Sequence, residues 1–440
     1  MSSQAAILKL PDELLDAIIH HAHALPLRSV HPGMRHYWRK HEDFYRTLFS
    51  LSLVCRRFYL ITTPHLYADL EVYTYQYTYE PKNTPGPEGL HRSCTENVSL
   101  RPLCRRLSVQ LSDSAVDSGN QRTSPRSDMA TDLTRWFTGT QWLAVSGLSR
   151  NEHAWSLVQF GLANFPNLSR LYLEAGAMAG LSLPRVFQTL YSSRINALEL
   201  HEVSTKGDSV DWRQMEERAG TAAFTTLRLT AFLQTPEVLA HLLRWPAKLE
   251  EFSLDFTYGS AYSELGLYDD WSLATLQPIL AIHKNTLRSI NVTHVNRQGL
   301  TGFDLRGFPV LEEISLSSTA SMDTEKGWRC YSFEDHLLAN IQPPSLRVFH
   351  WDLAFEDQQH QEGLSDFGRK EEDWLRAYGH AAIRRKCPLR EIRITYSPAS
   401  YEGRCDTDIY PWDRMDALDE ELKPNGIRVV KTATWTDGAT

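Results

Sequence analysis

Two stretches carry residue types that could do chemistry. Asp366-Phe367-Gly368 has the form of a magnesium-holding loop for phosphoryl transfer. That reaction also needs a glycine-rich phosphate loop, a strand lysine and a His-Arg-Asp element, and none accompanies it. His20, His21 and His23 lie close together, but metal-holding histidines on a helix are spaced i,i+4 on one face. Consecutive histidines diverge around the helix. There is no Walker loop, no Gly-x-Ser-x-Gly and no Cys-x-x-Cys pair. The expectation is a chain with no catalytic residue, no cofactor and no metal, whose work is binding.

Binding needs elements that present a surface, and the first lies between Leu10 and Ile61. Pro11 suits a first helical position because its missing N–H has no intrahelical partner there. Asp12 and Glu13 follow where negative charge suits the helix dipole. Leu14, Leu15, Ile18, Ile19 and Ala22 then draw one apolar stripe along a helix. A second helical run holds Phe44, Leu48 and Phe49. A third holds Leu51, Val54, Cys55, Phe58 and Ile61, and Pro64 is expected to stop it. Three short helices make a thin core, and their apolar residues outnumber what so small a bundle hides. An apolar face left exposed beside Arg56 and Arg57 is a protein interface.

The opening Leu10-Pro11-Asp12-Glu13-Leu14-Leu15 and the run Leu51-Ser52-Leu53-Val54-Cys55-Arg56-Arg57-Phe58, with Thr63-Pro64-His65-Leu66-Tyr67 after it, resemble an F-box domain of the kind common in fungal proteins. The resemblance covers residues 7–70. It implies docking to the Skp-type adaptor of an SCF cullin-RING ubiquitin ligase, and through the adaptor to a cullin. By position, the implied adaptor-binding residues are Leu10, Pro11, Leu14, Ile18, Leu53, Val54 and Cys55. The stretch Leu25 to Asp43 is longer than the family's usual link between its first two helices. It is either a surface loop or a modified docking edge.

The whole chain sets wider bounds. Its 440 residues have room for two or three domains, or for one repeat array with a cap. A net charge of -8 gives no general attraction to nucleic acid. No apolar run is long enough to span a bilayer, so no membrane partner is expected. Met1 to Ala6 lacks the start of a secretory signal. Six scattered cysteines suit free thiols in a reducing compartment. The expected location is cytoplasmic, nuclear or both.

Residues 71–132 read as a linker. Tyr73, Tyr75, Tyr77 and Tyr79 alternate with polar residues, which predicts a strand with one aromatic face. That strand either caps an array or offers a stacking surface. Glu80 to Ser99 is rich in Pro and Gly and reads as a loop. Ser112 to Asp132 is poor in apolar residues and reads as mobile.

From residue 101 to 440 one spacing recurs: apolar, two residues, apolar, one residue, apolar. It occurs at Cys104/Leu107/Val109, Leu168/Leu171/Leu173, Ile195/Leu198/Leu200, Phe224/Leu227/Leu229 and Leu249/Phe252/Leu254. It continues at Leu287/Ile290/Val292, Leu311/Ile314/Leu316, Leu346/Phe349/Trp351 and Leu389/Ile392/Ile394, with a weaker copy at Leu143/Val145. Helix-like runs separate the copies. Such repetition signals a solenoid, because each unit buries its apolar face only against the next. The triplet resembles the strand of a leucine-rich repeat, without the regular Asn or Cys that follows it in that family. The predicted fold is an α/β solenoid, a horseshoe of parallel strands and helices behind a three-helix module. Pro411 to Leu422 should form a closing helix, and Ile427, Val429 and Val430 a last strand.

Strand residues between the apolar positions would face a client. Among them are Tyr172, Glu199, Arg228, Asp255, Asn291, Glu313, His350 and Arg393. Glu174, Glu199, Glu251, Asp255, Glu313, Asp352 and Glu391 outnumber Arg170, Arg228 and Arg393, so this face should favour a basic client segment. The two readings of the whole are a substrate-recruiting subunit of an SCF-type ligase, and an interaction scaffold that delivers nothing for ubiquitylation. Both take a protein client, and neither names it.

Overall fold

The computed structural model describes residues 10–23, 45–74, 87–111, 125–149, 151–176, 180–191, 193–204, 215–256, 271–293, 295, 299–321, 331, 333–353, 367–396 and 411–433. Residues 25–43 and Tyr75, Tyr77 and Tyr79 lie outside that set. The chain forms two compact units. One holds Met1–Gly147 with Asn151–Leu168, and the other holds Leu148–Arg150 with Ser169–Thr440.

The first unit begins with helices α1 (Asp12–His23), α2 (residues 45–52) and α3 (Arg56–Leu66). The expected third helix ran from Leu51. In the structure Leu51 belongs to the last turn of α2, residues 53 and 54 form a turn, and Cys55 caps α3 from an extended backbone. Pro64 does not stop α3; the helix runs on to Leu66. Proline this close to a C-terminus removes only one N–H bond, and the Thr63 hydroxyl meanwhile donates to the Tyr59 carbonyl at 2.6 Å.

Three strands follow: β1 (Asp69–Tyr73), β2 (Arg106–Gln110) and β3 (Trp142–Ser146). β1 pairs in parallel with β2, and β2 with β3, with Leu70, Leu107 and Leu143 in register. The ladder therefore starts at Asp69, with β1 straddling the expected boundary between the helical module and the linker. The triplet spacing was already there, in Tyr67/Leu70/Val72. Two loop expectations also give way. Pro87–Glu96 is helix α4 and Pro125–Trp136 is helix α5. Each opens on a proline, which helix N-termini accept, followed by acid in the first turn. Cys94 in α4, and Ala130 and Leu133 in α5, are buried. Low apolar content across a loop-like composition hid these two short stripes. Helix α6 (Glu152–Asn164) completes the unit, capped by the Asn151 side chain, which accepts from two backbone N–H groups.

The second unit holds nine strands in chain order: β4 (Arg170–Glu174), β5 (Ala197–His201), β6 (Thr226–Thr230), β7 (Glu251–Asp255), β8 (Ser289–Thr293), β9 (Glu313–Ser317), β10 (Val348–Asp352), β11 (Glu391–Tyr396) and β12 (Arg428–Ala433). Within the unit each pairs in parallel with its sequence neighbours. Between them run α7 (Leu183–Thr189), α8 (Pro236–Arg244), α9 (Leu273–Leu280), α10 (Asp335–Asn340), α11 (Arg369–Arg384) and α12 (Pro411–Leu422). This is an α/β solenoid of the leucine-rich-repeat type. Its core is the ladder read from sequence: Leu198, Leu227, Phe252, Ile290, Ile314, Phe349 and Ile392 stand in register and are buried. A large apolar side chain stabilises by roughly 1.5–3 kcal/mol when so enclosed. At the C-terminal end Trp351, Trp374 and Tyr378 stack, at 4.8 Å and 5.6 Å between successive ring centres. Among the described residues the last strand has one partner strand, and Asp419 of α12 holds it as well, accepting from the Val429 N–H at 2.7 Å and the Arg428 side chain at 3.0 Å.

The chain turns sharply at several strand ends. Gly147 (φ 89°), Glu202 (57°) and Ala231 (50°) follow β3, β5 and β6 with left-handed backbones. At Gly147 a Cβ would sit 2.4 Å from the Leu111 carbonyl oxygen, so only glycine fits.

Candidate protein-docking surfaces

The first surface lies on α1–α3. Leu15, Ile19, Leu48 and Phe58 fill the interior of this module. The single stripe expected on α1 divides accordingly: Leu15 and Ile19 turn inward, while Leu14 (52% exposed) and Ile18 (51%) turn to solvent. Leu53 and Val54 in the turn before α3 are 70% and 62% exposed. Pro11 and Cys55 are also exposed, and Leu10 is half-buried. Cys55 is a free thiol, as are Cys94, Cys104 and Cys387. The implied docking residues are thus almost all solvent-facing. The structure adds Phe49, Tyr59 and Leu60, also exposed. Phe49 and Tyr59 each sit beside a buried residue in their helix, Leu48 or Phe58, and stripe counting does not separate an inward from an outward neighbour.

Polar ties fix α1 against α3. Arg57 Nε donates to Asp12 Oδ1 at 2.6 Å, and its guanidinium also donates to the Leu10 carbonyl. His65 Nε2 lies 2.8 Å from Asp16 Oδ1. His20 shares this corner, with its ring centre 6.2 Å from that of His65. Among the described residues no group of three or more His, Cys, Asp or Glu could hold a metal.

The module is joined to β1. The Tyr45 hydroxyl donates to the Asp69 carbonyl. The Asp69 carboxylate lies 3.5 Å from Arg106, whose guanidinium stacks 3.9 Å over the Trp142 ring. Burial pushes the Asp69 carboxyl up to about 6, and Arg106 offsets part of that. Burial and then the Asp69 charge push Glu71 up to about 7, against the Tyr73 hydroxyl, which donates to it at 3.0 Å.

The second surface is the solvent side of β4–β12. Parallel pairing aligns Tyr172, Glu199, Arg228, Ser253, Asn291, Ser315, His350 and Arg393 in one row. The row is less open than the spacing predicts. Tyr172 is buried, stacked on the buried His201 with ring centres 6.4 Å apart. Glu199, Arg228, Asp255, Asn291, Glu313, His350 and Arg393 are half-buried. Most of them are bonded sideways across strands. Arg228 lies between Glu199 and Glu251, at 3.9 and 4.0 Å. Arg393 reaches Glu391 and also Glu313, at 3.0 Å. Asn291 donates to Ser253 at 3.0 Å, and Asp255 accepts from Thr293 at 2.6 Å.

Ser315 Oγ and His350 Nδ1 are 2.9 Å apart, the separation of a nucleophile and its base. The other ring nitrogen meets Thr395 Oγ1 at 2.6 Å, where a catalytic pair would have a carboxylate. Burial and then the Arg393 charge hold His350 down to about 4, so it is a weak base at neutral pH. Its position ties β9, β10 and β11 together.

The Asp366-Phe367-Gly368 motif marks a helix start. Phe367 is buried, and the Gly368 N–H donates to Glu371 Oε2 at 2.9 Å, capping α11. Asp366 lies outside the described residues. No described helix is long and apolar enough to cross a membrane.

No protein-family model matches the chain, and no curated protein matches it. Among solved structures it is similar to the leucine-rich repeat-containing protein LegL7 from Legionella pneumophila. That match has 14% identity and a TM-score of 0.45, over 81% of this chain and 98% of that one. A TLR13-ssRNA13 complex matches at 11% identity and a TM-score of 0.33, over 77% of this chain and 38% of that one. Both likenesses concern the fold alone.

Proposed function

We propose that the chain is a substrate-recruiting, non-catalytic subunit of an SCF-type ubiquitin ligase in the cytoplasm or nucleus. The α1–α3 module docks to a Skp-type adaptor, and the adaptor joins it to a cullin. The repeat array holds a protein client. One observation carries this reading: Leu14, Ile18, Leu53 and Val54 face solvent from a module whose interior is already filled. They are also the positions that the F-box-like motif marks for adaptor contact. Exposed apolar side chains grouped on one small module mark a docking site. The module performs no chemical step. It raises the client's effective concentration beside a ubiquitin-charged enzyme.

The test is co-purification of the full chain with a Skp-type adaptor. Leu14→Asp with Val54→Asp should abolish it and leave the array's melting transition in place. Retention of the adaptor by that double variant would reject the assigned interface. The array alone favours a second reading, a scaffold that binds partners without ubiquitylation. A cullin in the native complex supports the first reading; adaptor without cullin supports the second.

A further inference from the structure

The second unit carries an excess of positive charge along the edge where its later strands begin, against the balance of a chain whose net charge is -8. The residue before each of β8, β9, β10 and β11 is Arg288, Glu312, Arg347 and Arg390 in turn. They are consecutive in space. The backbone N–H of Glu312 donates to the Arg288 carbonyl, that of Arg347 to Glu312, and that of Arg390 to Arg347, at 2.8–2.9 Å. Glu312 serves two guanidiniums, Arg288 at 2.8 Å and Arg347 at 3.7 Å. Arg390 has no side-chain partner among the described residues.

The turn from α11 into β11 adds Arg384, Arg385 and Lys386. The first two share Asp335, and Lys386 has no side-chain partner among the described residues. The Cys387 thiol lies 4.0 Å from the Leu346 carbonyl, which sets this turn against the start of β10. Five exposed cations, Arg347, Arg384, Arg385, Lys386 and Arg390, therefore meet two carboxylates, Glu312 and Asp335.

We infer that this edge docks an acidic peptide segment of a protein partner. Guanidinium groups pair with carboxylates through paired N–H bonds, and here part of that capacity is unused. The strip is narrow. Glu313 and Glu391 come one residue further along their strands and bound it on the open face. They repel a continuous polyanion such as nucleic acid, while a peptide can place its carboxylates on the strip and neutral residues beside them. The inference is independent of adaptor docking.

The probe is a fluorescent glutamate-rich peptide titrated against the full chain without adaptor. Binding should weaken steeply between about 50 and about 300 mM salt, as screening shortens from over 10 Å to under 8 Å. Arg347→Ala with Lys386→Ala and Arg390→Ala should weaken binding by at least about tenfold. Lys386→Ala with Arg390→Ala removes only unpaired, exposed cations, leaves the fold intact and should still weaken it severalfold. Native-like binding by that double variant overturns the inference. So does a single-stranded oligonucleotide that binds more tightly and displaces the peptide.

Discussion

In α1–α3 the apolar residues are divided between inside and outside. Leu15, Ile19, Leu48 and Phe58 are enclosed, while Leu14, Ile18, Leu53 and Val54 beside them are open. In the second unit the ladder residues from Leu198 to Ile394 are all enclosed, repeat after repeat. The chemistry of the side chains is the same. A repeat array supplies each apolar strand face with a helix layer and a neighbouring coil. A single layer of three short helices has no such neighbour and leaves part of its apolar surface open. On the proposed reading that open surface receives the adaptor, whereas exposure in the ladder would be a defect.

Substitutions can break that contrast. The largest effect is expected at Trp374→Ala, which empties the stack between Trp351 and Tyr378 and should cost about 3–5 kcal/mol in chemical denaturation. Leu53→Ala, by contrast, should stay within about 0.5 kcal/mol of native stability while weakening adaptor capture. A stability loss at Leu53 comparable with that at Trp374 would mean the module's outer face is core. Gly147→Ala comes next. Its left-handed backbone and the nearby Leu111 carbonyl should cost about 1–3 kcal/mol, read as a lower melting temperature.

Acid and base act on the two units in opposite senses. Asp69 and Glu71 have folded values of about 6 and about 7, above their ordinary values of 3.8 and 4.5. Between those limits the folded state holds more protons than the unfolded one, so their contribution is lost as pH rises through 6 to 7. His350 is held at about 4 against an ordinary 6.5. Here the unfolded state binds the extra proton, so its contribution is lost as pH falls from 6.5 towards 4. Hydrogen exchange followed by peptide should show β1 loosening towards alkaline pH and β10 towards acid. Glu71→Gln should flatten the first trend only. The smallest effect is a gain. Lys386 (φ 55°) ends α11 in a left-handed conformation, and Lys386→Gly should stabilise by about 0.5–1 kcal/mol in a thermal melt.

The ladder was legible because its signal is repeated and apolar. Leu287/Ile290/Val292 and its relatives mark strands through spacing alone, and every such strand formed. The strand at β1 was expected from its alternation, but not as the first copy of the triplet, because Tyr67 fills the first place there. Helices α4 and α5 were missed because proline at a helix start and proline in a loop look alike in sequence. The open-face row was legible in position but not in availability. Tyr172 has the right parity and is covered, and Arg228 and Arg393 are engaged by carboxylates on their own and neighbouring strands. Sideways bonding depends on which strands become neighbours and on how rotamers settle. Parity does not encode either. The implied docking residues, Leu14 rather than Leu15 among them, came from the F-box-like resemblance; stripe counting alone does not make that choice, because it depends on the helix's rotation against its neighbours.

The single-neighbour position of β12 has a mechanical consequence. Among the described residues every inner strand of the second unit is zipped along both sides, whereas β12 is zipped along one and pinned by Asp419. Tension applied at the C-terminus should therefore peel off α12 and β12 before it disturbs β11. In a force ramp Asp419→Asn would lower the first rip and leave the later ones where they were.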